Sequence, residues 1–185
     1  MRPGERDGAP AADELVIHPL PPVFDAGSRV LLLGTMPSPR SREEGFHYGN
    51  PRNRFWAVLA ALWEEPLPTT IPERRALCHR HHLALDDVLA SCRIHGASDA
   101  SIKDPVPCDL HRVLDHAPIA QIFTTGATAT RLYRRLIEPE LGISCTGLPS
   151  TSPANARMRL PELVAAYLPV RAAADGCDTS GCGTL

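Results

Sequence analysis

The chain has 185 residues, 43% hydrophobic and 22% charged, with a formal net charge of −2. That length suits one domain able to bury a core without disulfide staples, and the composition is that of a soluble globular protein. The negative balance excludes a protein that coats nucleic acid through bulk charge, although an enzyme with a local basic face remains compatible with it.

Residues 1–14 are polar, carry Pro and Gly, lack a secretory apolar stretch and are expected to be disordered. No apolar run approaches the roughly 20 residues that span a bilayer, so the expectation is a cytoplasmic protein away from membranes. Leu15 to Phe24, with three prolines, reads as an extended lead-in. Arg29-Val-Leu-Leu-Leu-Gly34 has the pattern of a buried central strand. A long loop follows from Thr35 to about Pro51. The stretch Arg52 to Trp63 then sets Phe55, Val58, Leu59 and Leu62 on one helical face. Pro66 and Pro68 stop that helix, and Pro72 opens the next, which runs to about His82. Leu83 to Cys92 holds a second strand, and Arg93 to Asp109 is a polar connection. Asp109 caps a short helix through Asp115. The strand Ile119 to Phe123 leads through Gly126 into the helix Ala127 to Leu136. Ile143 to Thr146 is the last strand, Gly147 to Asn155 a loop, and Leu160 to Tyr167 the closing helix.

Strands alternating with helices predict an α/β fold: one three-layer domain over residues 15–170, its central, mostly parallel four-stranded sheet flanked by helices, with a flexible tail over 171–185. No internal repeat is present. Ligands in such sheets bind beyond the carboxyl ends of the strands, which points to the loops after Leu33 and Thr146.

The first loop contains Gly34-Thr-Met-Pro-Ser38 and Phe46-His-Tyr-Gly-Asn-Pro-Arg-Asn-Arg-Phe-Trp56. Gly34 permits close approach of a ligand to the backbone. Phe46, His47 and Tyr48 offer flat faces for a base. Arg52 and Arg54 suit phosphate, while Phe55 and Trp56 suit the core. Asn53 can orient a water or simply cap a helix. Glu43 and Glu44 read as solvent-facing charges and are the nearest carboxylates able to replace Asn53 as a base. Asp99 suits a turn cap as well as a catalytic role. Arg131, Arg134 and Arg135 form a basic helix edge. His79, His81 and His82 read as a solvated cluster, since no carboxylate or Cys lies at helical ligand spacing. Cys78, Cys92, Cys108 and Cys145 read as buried thiols. The spacing of Cys177 and Cys182 does not fit a metal clip. Neither a metal nor a cofactor is expected.

Gly34-Thr-Met-Pro37, followed by Asn50-Pro-Arg-Asn-Arg-Phe-Trp56, resembles the uracil-DNA glycosylase superfamily, and the likeness extends over residues 15 to 168. Met36 stands where the mismatch-specific branch keeps a catalytic Asn or Asp, and a thioether cannot activate water. That departure resembles the hypoxanthine (deoxyinosine) branch, as do Ala90 to Ile102 and Pro107-Cys-Asp109. The resemblance implies Asn53 as the catalytic residue and Gly34, Thr35, Met36, Phe46, Tyr48 and Leu148 around the base. It implies DNA contacts from Ser38, Arg52, Ser150, Thr151, Ser152, Asn155 and Arg157. Leu148 lacks the carbonyl-bonding group that related branches carry before the Pro, and Ser152 takes the approximate place of their apolar wedge. The implied activity is base-excision repair: hydrolysis of the N-glycosidic bond of a flipped deaminated base, first of all hypoxanthine, by a monomer acting on damaged DNA. The alternatives are a uracil or mismatch-specific glycosylase and a catalytically silent damaged-DNA-binding module. An esterase using Ser38 or Ser150 lacks its Gly-x-Ser-x-Gly elbow, and an NTPase lacks its phosphate loop.

Overall fold

The computed structural model describes residues 13–176. Four strands, β2 (Val30–Gly34), β3 (Leu83–Asp87), β6 (Gln121–Thr125) and β7 (Cys145–Leu148), form a fully parallel sheet in the order β3-β2-β6-β7. The central strand β2 is buried from end to end, as expected when helices cover both faces. Val30 and Leu32 face one layer, made by α2 (Phe55–Leu62), α3 (Ile71–Arg80) and α7 (Leu160–Ala174). Leu31 and Leu33 face the other, which contains α4 (His111–Leu114) and α5 (Ala127–Leu136). Two short helices, α1 (Pro39–Glu44) and α6 (Glu138–Leu141), complete the helical set.

The second layer also contains an antiparallel sheet that the sequence reading did not anticipate. Its order is β1 (Glu14–Ile17), β4 (Leu89–Ile94), β5 (Lys103–Pro107). Val16, Leu89, Cys92 and Ile94 turn inward from it onto the core. The chain between Asp87 and Leu89 changes direction tightly, because the Val88 and Leu89 N–H groups bond the Gly34 and Thr35 carbonyls. The single strand expected over 83–92 is therefore two strands in two different sheets. The expected domain boundaries shift as well. Glu14 pairs with Ile94 in β1 instead of ending a disordered leader, and α7 runs through Pro169 to Ala174, so Arg171 to Ala174 are helix and not tail. Cys177 and Cys182 lie outside the described residues.

One ion pair ties α4 to the sheet. The carboxylate of Asp86 on β3 is fully buried, and Arg112 approaches it at 2.6–3.0 Å through both Nε and Nη2. Burial raises the Asp86 pKa despite this partner. Arg112→Ala leaves that carboxyl without its guanidinium. Because Arg112 is itself partly solvated, we expect a loss of roughly 2–3 kcal/mol, at the low end for a buried pair. Urea unfolding with an unchanged m-value measures it.

Candidate active site

The carboxyl rim of the parallel sheet opens into a cleft of about 500 Å3. Its walls come from the loop after β2, from the 3-10 turn Asp99–Ser101 that follows β4, and from the loop after β7. Gly34 closes β2, and a Cβ there would stand 2.3 Å from Asp87 Oδ1, so no larger residue fits. Thr35 is buried, and Met36 packs against the core while presenting apolar surface to the cleft. Ser38 caps α1, its Oγ accepting the Ser41 N–H.

Asp87 lies at the end of β3, beneath this loop, and its Oδ2 accepts from two histidines, His18 Nε2 at 2.9 Å and His47 Nδ1 at 3.3 Å. The remaining contacts fix the proton positions. His18 Nδ1 accepts the Leu20 N–H, so His18 is neutral and donates through Nε2. His47 Nε2 lies 3.1 Å from the Pro21 carbonyl, so both His47 nitrogens face acceptors and the ring is an imidazolium. Burial opposes that charge, but the Asp87 carboxylate outweighs it and raises the His47 pKa. Burial also opposes ionisation of Asp87, yet the two histidines hold its pKa well below the usual carboxylate range. The result is a buried charge pair under the cleft floor.

Tyr48 takes the left-handed conformation, with φ 52°. Its ring stacks on Phe55 with centroids 3.6 Å apart and planes within 7°. Thr125 donates its hydroxyl to the Leu33 carbonyl and so accepts from the Tyr48 hydroxyl at 3.0 Å. Burial, with the nearby Asp87 charge, raises the Tyr48 pKa, so the phenol stays protonated. The strained backbone is stabilised by these two side-chain contacts and holds a phenol ring in the cleft wall.

Asn53 also lines the cleft. Its Oδ1 accepts the Phe55 N–H at 3.0 Å at the start of α2, and no hydrogen bond among the described residues engages its Nδ2. The capping role and a role in the cleft thus coexist in one side chain. Arg54 turns the other way. It binds the Thr151, Ser152, Asn155 and Met158 carbonyls and clasps the loop after β7 to the start of α2, so it is not free for phosphate. Arg52 is exposed at the rim. Ser150 and Ser152 line the cleft, and Ser150 Oγ accepts the Ser152 N–H, which leaves its own O–H to donate outward.

Several expected contacts are corrected. Phe46 is buried and stacks near Trp56, 6.0 Å between centroids, so it is a core residue and not a base platform. Leu148 is likewise buried in the core and does not line the cleft. Thr151 lines the cleft, but its side chain is 1% exposed and so is withdrawn from any surface contact. Asn155 bonds the Ser150 carbonyl through Nδ2 and serves the loop. Arg157 is exposed on the same loop, outside the cleft lining. Glu43 pairs with Arg40, and Glu44 with Arg40 and Arg74, so neither carboxylate reaches the cleft. His79, His81 and His82 go to three separate partners, Asp25, Glu65 and Gly27. The sequence reading missed His18 and Asp87 altogether. The one available signal was an Asp at the end of a strand.

Residues 21–170 match the model of the uracil DNA glycosylase superfamily. The chain belongs to that superfamily. Two proteins described as hypoxanthine DNA glycosylase, from Methanosarcina acetivorans and Methanosarcina barkeri, are each 28% identical to this superfamily member over 138 residues, covering 74% of it and 87% of the relative. A solution NMR structure from Methanosarcina acetivorans, described as a candidate uracil DNA glycosylase, aligns with TM-score 0.70 and 25% identity over 85% of this chain and 99% of that one. Within the superfamily fold, the cleft described above occupies the carboxyl edge of the sheet, where α/β proteins bind ligands.

The buried charge pair predicts how stability depends on pH. Asp87 titrates below its ordinary value of 3.8, so its contribution is complete above about pH 4 and is lost as pH falls. His47 titrates above its ordinary 6.5, so its contribution is complete below about pH 6.5 and is lost as pH rises through the folded value. Thermal melts across pH should peak between those limits. His47→Gln should flatten the alkaline side and also weaken the acid side, since one of the two groups that hold the Asp87 pKa down is gone.

Proposed function

We propose that the chain is a monofunctional DNA glycosylase that releases hypoxanthine from deoxyinosine in DNA, acting as a monomer in the cytoplasm. The observation that carries this reading is the shared cleft: Asn53 with an unengaged Nδ2, the Tyr48 ring, and Met36 where a water-activating acid is missing. The names of the Methanosarcina relatives support the choice of base. The four free, buried cysteines support a reducing compartment.

A nucleobase cannot be reached inside the duplex, so the nucleotide must be flipped into the cleft. The purine stacks on Tyr48, whose other face is already covered by Phe55. Backbone N–H groups of Thr35 and Met36 address its polar edge, and Met36 supplies an apolar wall. Asn53 Nδ2 donates to the attacking water and orients it beneath C1′. The C1′–N9 bond breaks with oxocarbenium character, and its electron pair spreads over the departing purine, where pre-aimed donors stabilise it. Ser38, Arg52, Ser150, Ser152 and Arg157 contact phosphates around the flipped nucleotide.

Asn53→Ala should lower single-turnover hypoxanthine release by about 10³-fold, the scale for losing one well-placed donor. Circular dichroism should show it folded, with only a modest cost from the lost Phe55 cap. Near-normal turnover would remove Asn53 from this role, and a wild-type protein that binds deoxyinosine duplex without releasing base would be a sensor. Met36→Asn should add uracil excision, read on a uracil duplex in the same assay.

A further inference from the structure

The reading above leaves one step without a residue. The water that attacks C1′ must lose a proton, and an amide such as Asn53 cannot take it. Among the described residues lining the cleft, the side chains that titrate are Arg42, His47, Tyr48, Arg52, Asp87 and Asp99. The arginines are cations. His47 has both nitrogens facing acceptors. Tyr48 donates its proton to Thr125. Asp87 gives its Oδ2 to two histidines, which hold its pKa well below the usual carboxylate range and make it a poor proton acceptor. Asp99 is different. It sits in the 3-10 turn after β4, and its Oδ2 accepts the Thr35 hydroxyl at 2.9 Å. No hydrogen bond among the described residues engages its Oδ1.

We propose that Asp99 is the general base of the reaction, brought by its bond to Thr35 to the loop that carries Met36. Resting on the deoxyinosine reading, the step balances as follows. The water oxygen bonds C1′ as the C1′–N9 bond breaks. The electron pair leaves with the purine, which gains a proton from solvent. The water proton passes to Asp99 Oδ1. Although Asp99 as a whole residue is exposed, its carboxyl packs against Thr35. Desolvation there raises its pKa, the Thr35 hydroxyl lowers it, and the Asp87 charge raises it again. A base of raised pKa accepts a proton more readily. The other titratable or charged groups facing Asp99 are Cys92 on β4, itself raised by burial and by Asp99, and, across the cleft, Arg42, His47, Tyr48 and Arg52.

The test is single-turnover release of hypoxanthine from a deoxyinosine duplex between pH 4.5 and 9. The wild-type rate should rise with pH through one carboxylate titration and then level. Asp99→Asn should fall at least about 100-fold and lose that rise, while its Kd for a duplex carrying non-cleavable 2′-fluoro-deoxyinosine stays within about threefold of wild type. Added formate should restore part of the rate of Asp99→Ala. Thr35→Val should move the titration to higher pH, since the bond that lowers the Asp99 pKa is gone. An Asp99→Asn rate within threefold of wild type overturns the base assignment alone. So does a fall that leaves the pH profile unchanged and is deaf to formate. A wild-type chain that releases no hypoxanthine overturns the deoxyinosine reading and the base with it.

Discussion

The cleft depends on one buried carboxylate. Asp87 joins three segments far apart in the chain: the lead-in through His18, the loop before α2 through His47, and the central strand β2 by its close approach to Gly34. A lone carboxylate at that depth would protonate or draw in water. Here a neutral histidine and an imidazolium both donate to it, so the charge is compensated and directional. The pairing bears on why Gly34 has no side chain, since a Cβ there would stand 2.3 Å from Oδ1 of the carboxylate whose other oxygen, Oδ2, the histidines hold. It also explains why His47 is unavailable for chemistry despite lining the cleft. The group most often used for acid–base work is spent here on architecture.

A second contact fixes the opposite wall. Arg54 caps four carbonyls of the loop between β7 and α7, and the Tyr167 hydroxyl bonds the Pro149 carbonyl from behind. A loop without secondary structure exposes backbone groups that must find partners. Satisfying several of them with a single guanidinium, a planar donor array, holds the segment rigid. Adjacent residues therefore have opposite tasks. Asn53 presents its amide to the cleft, Arg54 turns into the protein, and Arg52 stays in solvent at the rim. A chain of net negative charge can still meet a phosphate backbone, because Arg52, exposed at the rim, stands at the cleft's mouth while Arg54 is used inside.

The parallel sheet was legible because its strands are short, apolar and punctuated. Val30 to Leu33 is buried on both faces, and such a run needs no periodicity to be read. The antiparallel sheet was not, for equally physical reasons. β5 is Lys-Asp-Pro-Val-Pro, two of its five residues being proline, and proline argues against a strand unless it lies at an edge. β5 is an edge. β1 buries only Val16 of its four residues, too little to show as a pattern. Helix α7 outran its expected end because Pro169, which usually terminates a helix, lies where Val170 and Ala174 still have core to pack against. Within the site, the motif around Asn53 was visible as residue types. The choice between Phe46 and Tyr48 was not, since it depends on which ring the left-handed turn at Tyr48 directs toward the cleft. The histidine–carboxylate cluster was illegible because His18, His47 and Asp87 are brought together only by the tertiary fold.

The position of Met36 follows from the same geometry. Asp87 already places a negative charge beneath the loop after β2, held among the described residues by its two histidines. A carboxylate at position 36, lining the same cleft, would add a second negative charge there, and like charges disfavour one another's ionisation. An apolar side chain there avoids that conflict. The carboxyl that remains in the cleft, Asp99, comes from a different element and is separated from Asp87 by the Thr35 hydroxyl it accepts. In this fold the Asp87–His47 pair serves structure, while the rest of the cleft mixes an amide, hydroxyls, a phenol and a thioether with the charged groups of Arg42, Arg52 and Asp99.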